Sequence, residues 1–417
     1  MWLGLVGSIQ RAMPAEAGRP IVVADGSGGG AAMQVRIPAV LMRGGTSKGL
    51  FFHANHLPAE AAVRDRMILA AYGSPDPYRR QMDGVGGATS VSSKTAIINP
   101  ADDPAYDVEY LFGQVAIDRA AVEYHGNCGN LSAAVGPFAI DEGLVEAREP
   151  VTRVRIFQKN TGKLITAEVP VKDGAFDEAG DYTISGVPGS GAKIVLRFAD
   201  PGGSMTGRLL PTGNLQDHLA IPALGEVRVS IVDAANPVVF VKASAIGLEG
   251  TEIDAFDTPE IRTRLELIRS HAGVMIGLAG SPEEASGKVQ AVPKVAVVSP
   301  PGSYRASNGE TVDAERIDLT ARIMSMGALH RSYAVTGGIC TVGAALIGGT
   351  VVSEVLNPDA AGKPMLTLGH PGGTMEIGAL VEASATGYTY REAAVARTAR
   401  RLMEGFVLVP GKHVRAN

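Results

Sequence analysis

Residues 126–140 read GNCGNLSAAVGPFAI, and residues 334–352 read AVTGGICTVGAALIGGTVV. Each stretch opens on a polar, glycine-containing turn, carries a cysteine, and continues as small apolar residues with no polar face. A helix that is apolar all round is buried on every side. Each stretch therefore predicts a helix, opening at its cysteine, wrapped by other elements. The surrounding chain supplies strands for the wrapping. In the first half they are VRIPAVLM (35–42), with Pro38 marking an edge or bulge, the run from about Thr95, and VEYLFGQVAI. A hairpin follows, VRIFQKNTGKLITAEV, turning at Asn160–Gly162. In the second half they are EVRVSIVDAANPVVFVKA, KVAVVSP, MLTLGHPGGTMEIGALVEA about a glycine turn, and GFVLVP. Two outer helices are predicted, over 58–72 with Gly73 past its end, and over 259–277. The fold class is mixed α/β, an α+β arrangement of two similar halves with a cleft between them.

The bulk numbers agree. A chain of 417 residues with 45% hydrophobic residues can build two cores. Its 52 glycines fall in clusters, as many tight turns require. A net charge of -5 without a Lys/Arg run argues against a nucleic-acid partner. No long apolar run suggests a membrane span. Two cysteines make no disulfide framework and fit a reduced, cytoplasmic setting. The opening MWLGLVGSIQRAMPAEA lacks a basic stretch before its apolar part, so it is not read as a secretory signal. Residues 1–33 read as a flexible extension, with Met33 an alternative start.

Three side chains stand out. Cys128 lies at a helix start, where unpaired amides and the helix dipole favour a thiolate; the alternative is a small core residue. Lys94, in SVSSKTAII, is the last polar residue before an apolar strand. It is either solvated or, if buried, a general base with a lowered pKa. Cys340 reads as the positional twin of Cys128. A pair of opposed thiols would suit a two-base racemase; the alternative is a packed helix residue. The glycine loops RGGTSKG (43–49), DGVGGATS (83–90) and GHPGGTM (369–375) match neither a P-loop nor a dinucleotide fingerprint. Their amides, hydroxyls and cations suit several carboxylates on one small ligand. The pair His53 and His56 in HANH lacks further metal ligands nearby in sequence, and no serine nucleophile elbow is present.

Seven stretches in order, MRGGTSKGLFF, GSPDPYRRQMDGVGGATSVSSKTAII, DVEYLFGQV, GNCGNLSAAVGPFAI, PTGN, GHPGGT and LMEGFVLVP, resemble the PrpF family of 2-methylaconitate cis–trans isomerases of propionate breakdown. The resemblance runs from about Gln34 to Pro410. It implies the diaminopimelate epimerase-like fold: two domains, each a β-barrel-like sheet about a central helix, with the site in the cleft between them. On that basis residues 34–215 with 404–417 form the first domain and 216–403 the second.

The resemblance also implies an isomerase that uses no metal and no organic cofactor, with Lys94 and Cys128 catalytic. Relatives act on 4-oxalomesaconate, methylitaconate and aconitate. Arg43, Gly44, Gly45, Thr46, Ser47, Lys48, Ser93, Asn127, Gly129, Asn130, His370, Gly372, Gly373 and Thr374 are expected to bind the substrate, a small unsaturated di- or tricarboxylate. Cys340 is retained as a second acid/base. It departs from the 2-methylaconitate pattern toward the oxalomesaconate and aconitate branches. Oligomeric state is open, a homo-oligomer included.

Overall fold

The two halves repeat one order of strands. In the computed structural model, which describes residues 21–23, 34–385 and 387–413, Gln34–Gly44 turns back antiparallel onto Ser47–His53. That strand runs parallel to Lys94–Pro100 after a crossover through helix Ala61–Tyr72. Lys94–Pro100 is antiparallel to Val108–Val115, which lies parallel to Val151–Gln158. Lys163–Lys172 and Ile194–Ala199 follow, both antiparallel to their predecessors. The second half goes through the same relations in the same order. Its strands are Gly225–Ala234, Asn236–Lys242, Lys294–Ser299, Leu319–Ser325, Met365–His370, Gly373–Ser384 and Gly387–Arg397. Its crossover helix is Pro259–Met275. The halves are joined where Ile194–Ala199 pairs with Gly387–Arg397 and where the last strand, Ala399–Pro410, returns to Gln34–Gly44.

The crossover strands are buried on both faces, as parallel pairs covered by helices are. Side chains alternate across a strand. Ala96 and Ile98 face inward, and Ile97 faces the cluster around Met67 and Tyr72 of the crossover helix. In the second half Ala296 and Val298 face inward, while Val295 and Val297 meet Leu265 and Ile268. A central helical segment occupies the same place in each half, between the fourth and fifth strands, and every residue from Gly126 to Ile140 is buried.

Two expectations about these segments are corrected. The first is two helices, Gly129–Ser132 and Val135–Asp141. Pro137 is the cause: it has no amide hydrogen, and its ring clashes with the carbonyl four residues back in a continuous helix. The chain instead closes a tight turn, Ala133 N to Asn130 O and Ala134 N to Leu131 O, and restarts so that Pro137 falls in a first turn. The second helix, Val335–Leu346, is continuous, but it opens at Ala334 and not at a cysteine. Cys340 lies in its middle.

The first crossover helix begins at Ala61, after Pro58, and ends on Gly73 in the left-handed conformation. Within the segment read as an extension, Ile21–Val23 is a strand antiparallel to Gln34–Arg36; the rest of 1–33 lies outside the described residues. Among the described residues no helix is long and apolar enough to cross a membrane.

Candidate active site

Lys94 opens its strand two residues before Ala96, so the pleat turns it toward the central segment. Only 7% of it is exposed. Its amine donates to Gln114 Oε1 at 2.6 Å and stands 5.1 Å over the Phe112 ring. Gln114 is the cross-strand neighbour, and its amide donates to the Ser93 carbonyl at 2.8 Å, which leaves the oxygen to face the lysine. Burial lowers the Lys94 pKa; the Cys128 side chain, within hydrogen-bonding reach, partly opposes the drop.

Cys128 caps the short helix: its Sγ accepts from the Leu131 amide at 3.4 Å and lies 3.7 Å from Ser47 Oγ. Four residues make a weak dipole, so the fixed local amide matters more here than the helix as a whole. Gly45 is what lets the preceding turn lie against this segment. Its φ is +51°, and a methyl there would be driven into the Asn130 side chain.

Both residues line a cavity between the halves. Asn127, Gly129 and Asn130 also line it, and among the described residues no carboxylate does. The second half contributes Asn236, Lys294, Ser325, His330 and Thr336, none of which the sequence reading had singled out. Asn236 ties the halves together. Its Oδ1 accepts from Asn127 N at 2.9 Å, and its Nδ2 donates to Asn127 O and Thr336 Oγ1, each at 2.9 Å. Burial, with the charges of Lys94 and Lys294, holds the His330 pKa at about 3, so its ring is neutral. The Lys294 amine donates to Ala291 O at 3.0 Å. Burial, then repulsion from Lys94, lowers its pKa to about 8. Among the described residues no group of three or more His, Cys, Asp or Glu side chains is placed to hold a metal ion.

The remaining expected ligands are placed otherwise, and none lines the cavity. Arg43 braces a turn with one nitrogen of its guanidinium: Nη1 donates to Gly45 O, Thr398 O and Thr398 Oγ1, each at 3.0 Å. Lys48 is bound through its amide to Val91 O. Gly44, Gly45, Thr46 and Ser47 form the wall behind Cys128 and Asn130; Thr46 N donates to Asn130 Oδ1 at 3.3 Å. Ser93 is buried behind Lys94 and accepts from Gln81 at 2.8 Å. His370 is buried, accepts from Gly372 N at 3.1 Å, and is held neutral by burial, its pKa about 3. Gly373 and Thr374 pack on Ser185. His53 is paired with Glu142 at 2.9 Å and packed against His56.

Cys340 is fully buried and donates to Val232 O at 3.2 Å. Burial pushes its thiol pKa well up, and it does not line the cavity. At the position matching Cys128, the cap of the second central helix, stands Ala334. A cleft with two opposed thiols is thus not what the chain builds. Cys340→Ala is expected to keep kcat within about twofold while lowering stability by about 1 kcal/mol, the worth of one hydrogen bond. Steady-state rates and urea melts measure both; a loss matching that of Cys128→Ala would restore the racemase reading.

Comparison with known proteins places this architecture. The family described as "PrpF protein" matches residues 34–410. A 3-methylitaconate isomerase of Eubacterium barkeri is 47% identical over 379 residues, 90% of this chain and 98% of that one. A 2-methyl-aconitate isomerase of Shewanella oneidensis is 43% identical, covering 90% and 98%. Among solved structures, a methylitaconate-delta-isomerase superposes with a TM-score of 0.74 at 46% identity, over 92% of this chain and 98% of the other.

Proposed function

The chain belongs to the PrpF family, and from that premise we propose that it isomerises a small unsaturated tricarboxylate, 2-methylaconitate first, by moving one allylic proton. The observation that carries this reading is the desolvated Lys94 amine beside Cys128, in a cavity with two lysines and no carboxylate. A carbon next to a C=C that is conjugated to a carboxylate loses a proton to give a dienolate, whose charge spreads over both groups. Neutral Lys94 takes that proton and becomes an ammonium. The former double bond, now with single-bond character, rotates. A proton from the Lys94 ammonium or the Cys128 thiol then returns to carbon, so no proton or electron is gained or lost overall. The backbone amides of Gly129 and Asn130, in the cavity lining, would serve as donors to carboxylate and enolate oxygens, while that of Asn127 is already given to Asn236 Oδ1.

The relative named for 3-methylitaconate supports a second reading with the same first step. There the proton returns at the other end of the allyl system, and the double bond moves instead of turning. A cytoplasmic setting is part of the proposal, consistent with two buried, unlinked thiols.

Proton NMR in D₂O separates the readings. The panel is 2-methyl-cis-aconitate, cis- and trans-aconitate, 4-oxalomesaconate and 3-methylitaconate. The expected result is a geometric isomer of 2-methylaconitate with deuterium at its allylic carbon. Conversion of 3-methylitaconate alone would replace the first reading with the second. Silence on the whole panel from folded protein would overturn both.

A further inference from the structure

The twofold order of the strands assigns a partner to each side chain at the cleft. Lys94 opens the third strand of the first half and sits opposite the third residue of its parallel neighbour, Gly49 in Ser47–His53. Lys294 opens the third strand of the second half and sits opposite the third residue of its parallel neighbour, Val238 in Asn236–Lys242. The local sequences agree: KTAIINP at 94–100 and KVAVVSP at 294–300. Gln114 faces Lys94 across the next strand pair. Continuing the register Ala296–Ile323 by one pleat puts Ser325 in that place for Lys294. His125 and His330 each stand two residues past the short strand residue that answers Gln114 or Ser325, namely Glu123 and Ala328. All six side chains line the same cavity.

We propose that Lys294 is a second substrate-facing lysine, the counterpart of Lys94 on the opposite wall, and that its ammonium receives a carboxylate of the substrate remote from the carbon that loses its proton. The symmetry is broken where the chemistry differs: the first half sets Cys128 beside its lysine, while the second sets Ala334 at the matching cap. Lys94 must give up its charge to act as a base. Lys294 is then the one lysine left to carry charge among the described residues lining the cavity, against a ligand carrying several negative charges. No carboxylate in the lining competes for it. Lys294 is also the more open of the two, as a group that meets incoming ligand should be.

The groups that set its charge come from every neighbouring wall. Lys94 and Arg269 disfavour the ammonium and Cys128 favours it. The Ala291 carbonyl accepts from its amine, and Glu123 accepts from the Ala291 amide at 3.1 Å. His330 stays uncharged.

This inference deepens the proposed function and rests on it, so its test reads binding apart from turnover. The probe is tricarballylate, a saturated tricarboxylate with no double bond to isomerise, measured by calorimetry alongside steady-state kinetics. In Lys294→Met its affinity falls about tenfold or more, the usual worth of a hydrogen bond to a charged group. KM rises more than kcat falls. Lys294→Arg restores binding. It also loses the weakening that the wild type shows as pH climbs past about 8, because a guanidinium keeps its charge. Repulsion between two ammoniums is reciprocal, so in Lys294→Met the Lys94 amine holds its proton more tightly. The acid limb of kcat then moves to higher pH.

A folded Lys294→Met that binds tricarballylate as the wild type does overturns the inference, even if the wild type isomerises 2-methylaconitate. The same holds if Lys294→Arg weakens with pH as the wild type does. A wild type that binds the probe through Lys294 but converts nothing on the panel overturns the substrate reading and leaves the anion site standing.

Discussion

Lys94→Ala is expected to leave a folded protein whose kcat falls by about a thousandfold or more, within the range a positioned general base supplies. The side chain costs stability where it stands. It is a buried amine that donates to Gln114 Oε1, and burial already drives it toward the neutral form. Removing it relieves that cost, and Gln114 keeps its bond to the Ser93 carbonyl. The melting temperature should stay within a few degrees while turnover disappears.

Lys94→Arg separates proton transfer from charge. A guanidinium preserves a cation but not a base, since it stays protonated at every workable pH. It should be as inactive as the alanine variant. In the wild type the neutral fraction of Lys94 grows as pH rises through its lowered pKa, so kcat climbs with pH on the acid side. Near-normal turnover in either variant, measured by NMR on 2-methyl-cis-aconitate, would remove Lys94 from the reaction.

The half of the site that local sequence announces is the half that local structure builds. Cys128, Asn127, Gly129 and Asn130 are consecutive or nearly so, and one buried turn presents them together. Lys94 was legible because a polar residue ended where an apolar strand began. The opposite wall was not read, though its signal is present: KVAVVSP repeats KTAIINP with the lysine, alanine and proline in the same places. That repeat acquires meaning only through the strand register, which sets both lysines at one depth.

Asn236 was missed for another reason. Its role lies entirely in bonds to Asn127 and Thr336, about 100 residues away on either side. Arg43 has a role that local sequence does not announce: beside glycines and hydroxyls it reads as an anion ligand, and its Nη1 also holds the Thr398 carbonyl, brought near by the returning last strand. Pro137 was in plain view, and its missing amide is enough to divide the first central helix.

Gly49→Ala should damage the protein more than any other single methyl at this site. Gly49 lies on the parallel neighbour of Lys94, in register with it, and an added methyl would be driven into the Lys94 carbonyl oxygen. That oxygen belongs to the strand backbone and also accepts from the Tyr72 hydroxyl, which donates from the crossover helix. It cannot swing aside as a flexible side chain would. The two strands must part at the residue whose side chain carries the base, or the crossover helix must shift with them.

Overpacking of this kind costs about 3 kcal/mol, so urea melts of Gly49→Ala should show a clear loss of stability. Surviving folded protein should still lose about a hundredfold in kcat, because a displacement of the catalytic group by roughly 1 Å is enough for that. Tricarballylate binding should fall much less, since Lys294 hangs from the other half of the fold. A variant as stable and as active as the wild type would mean that the two strands do not approach each other closely at this point, and with that the placement of Lys94 by its strand neighbours would fail.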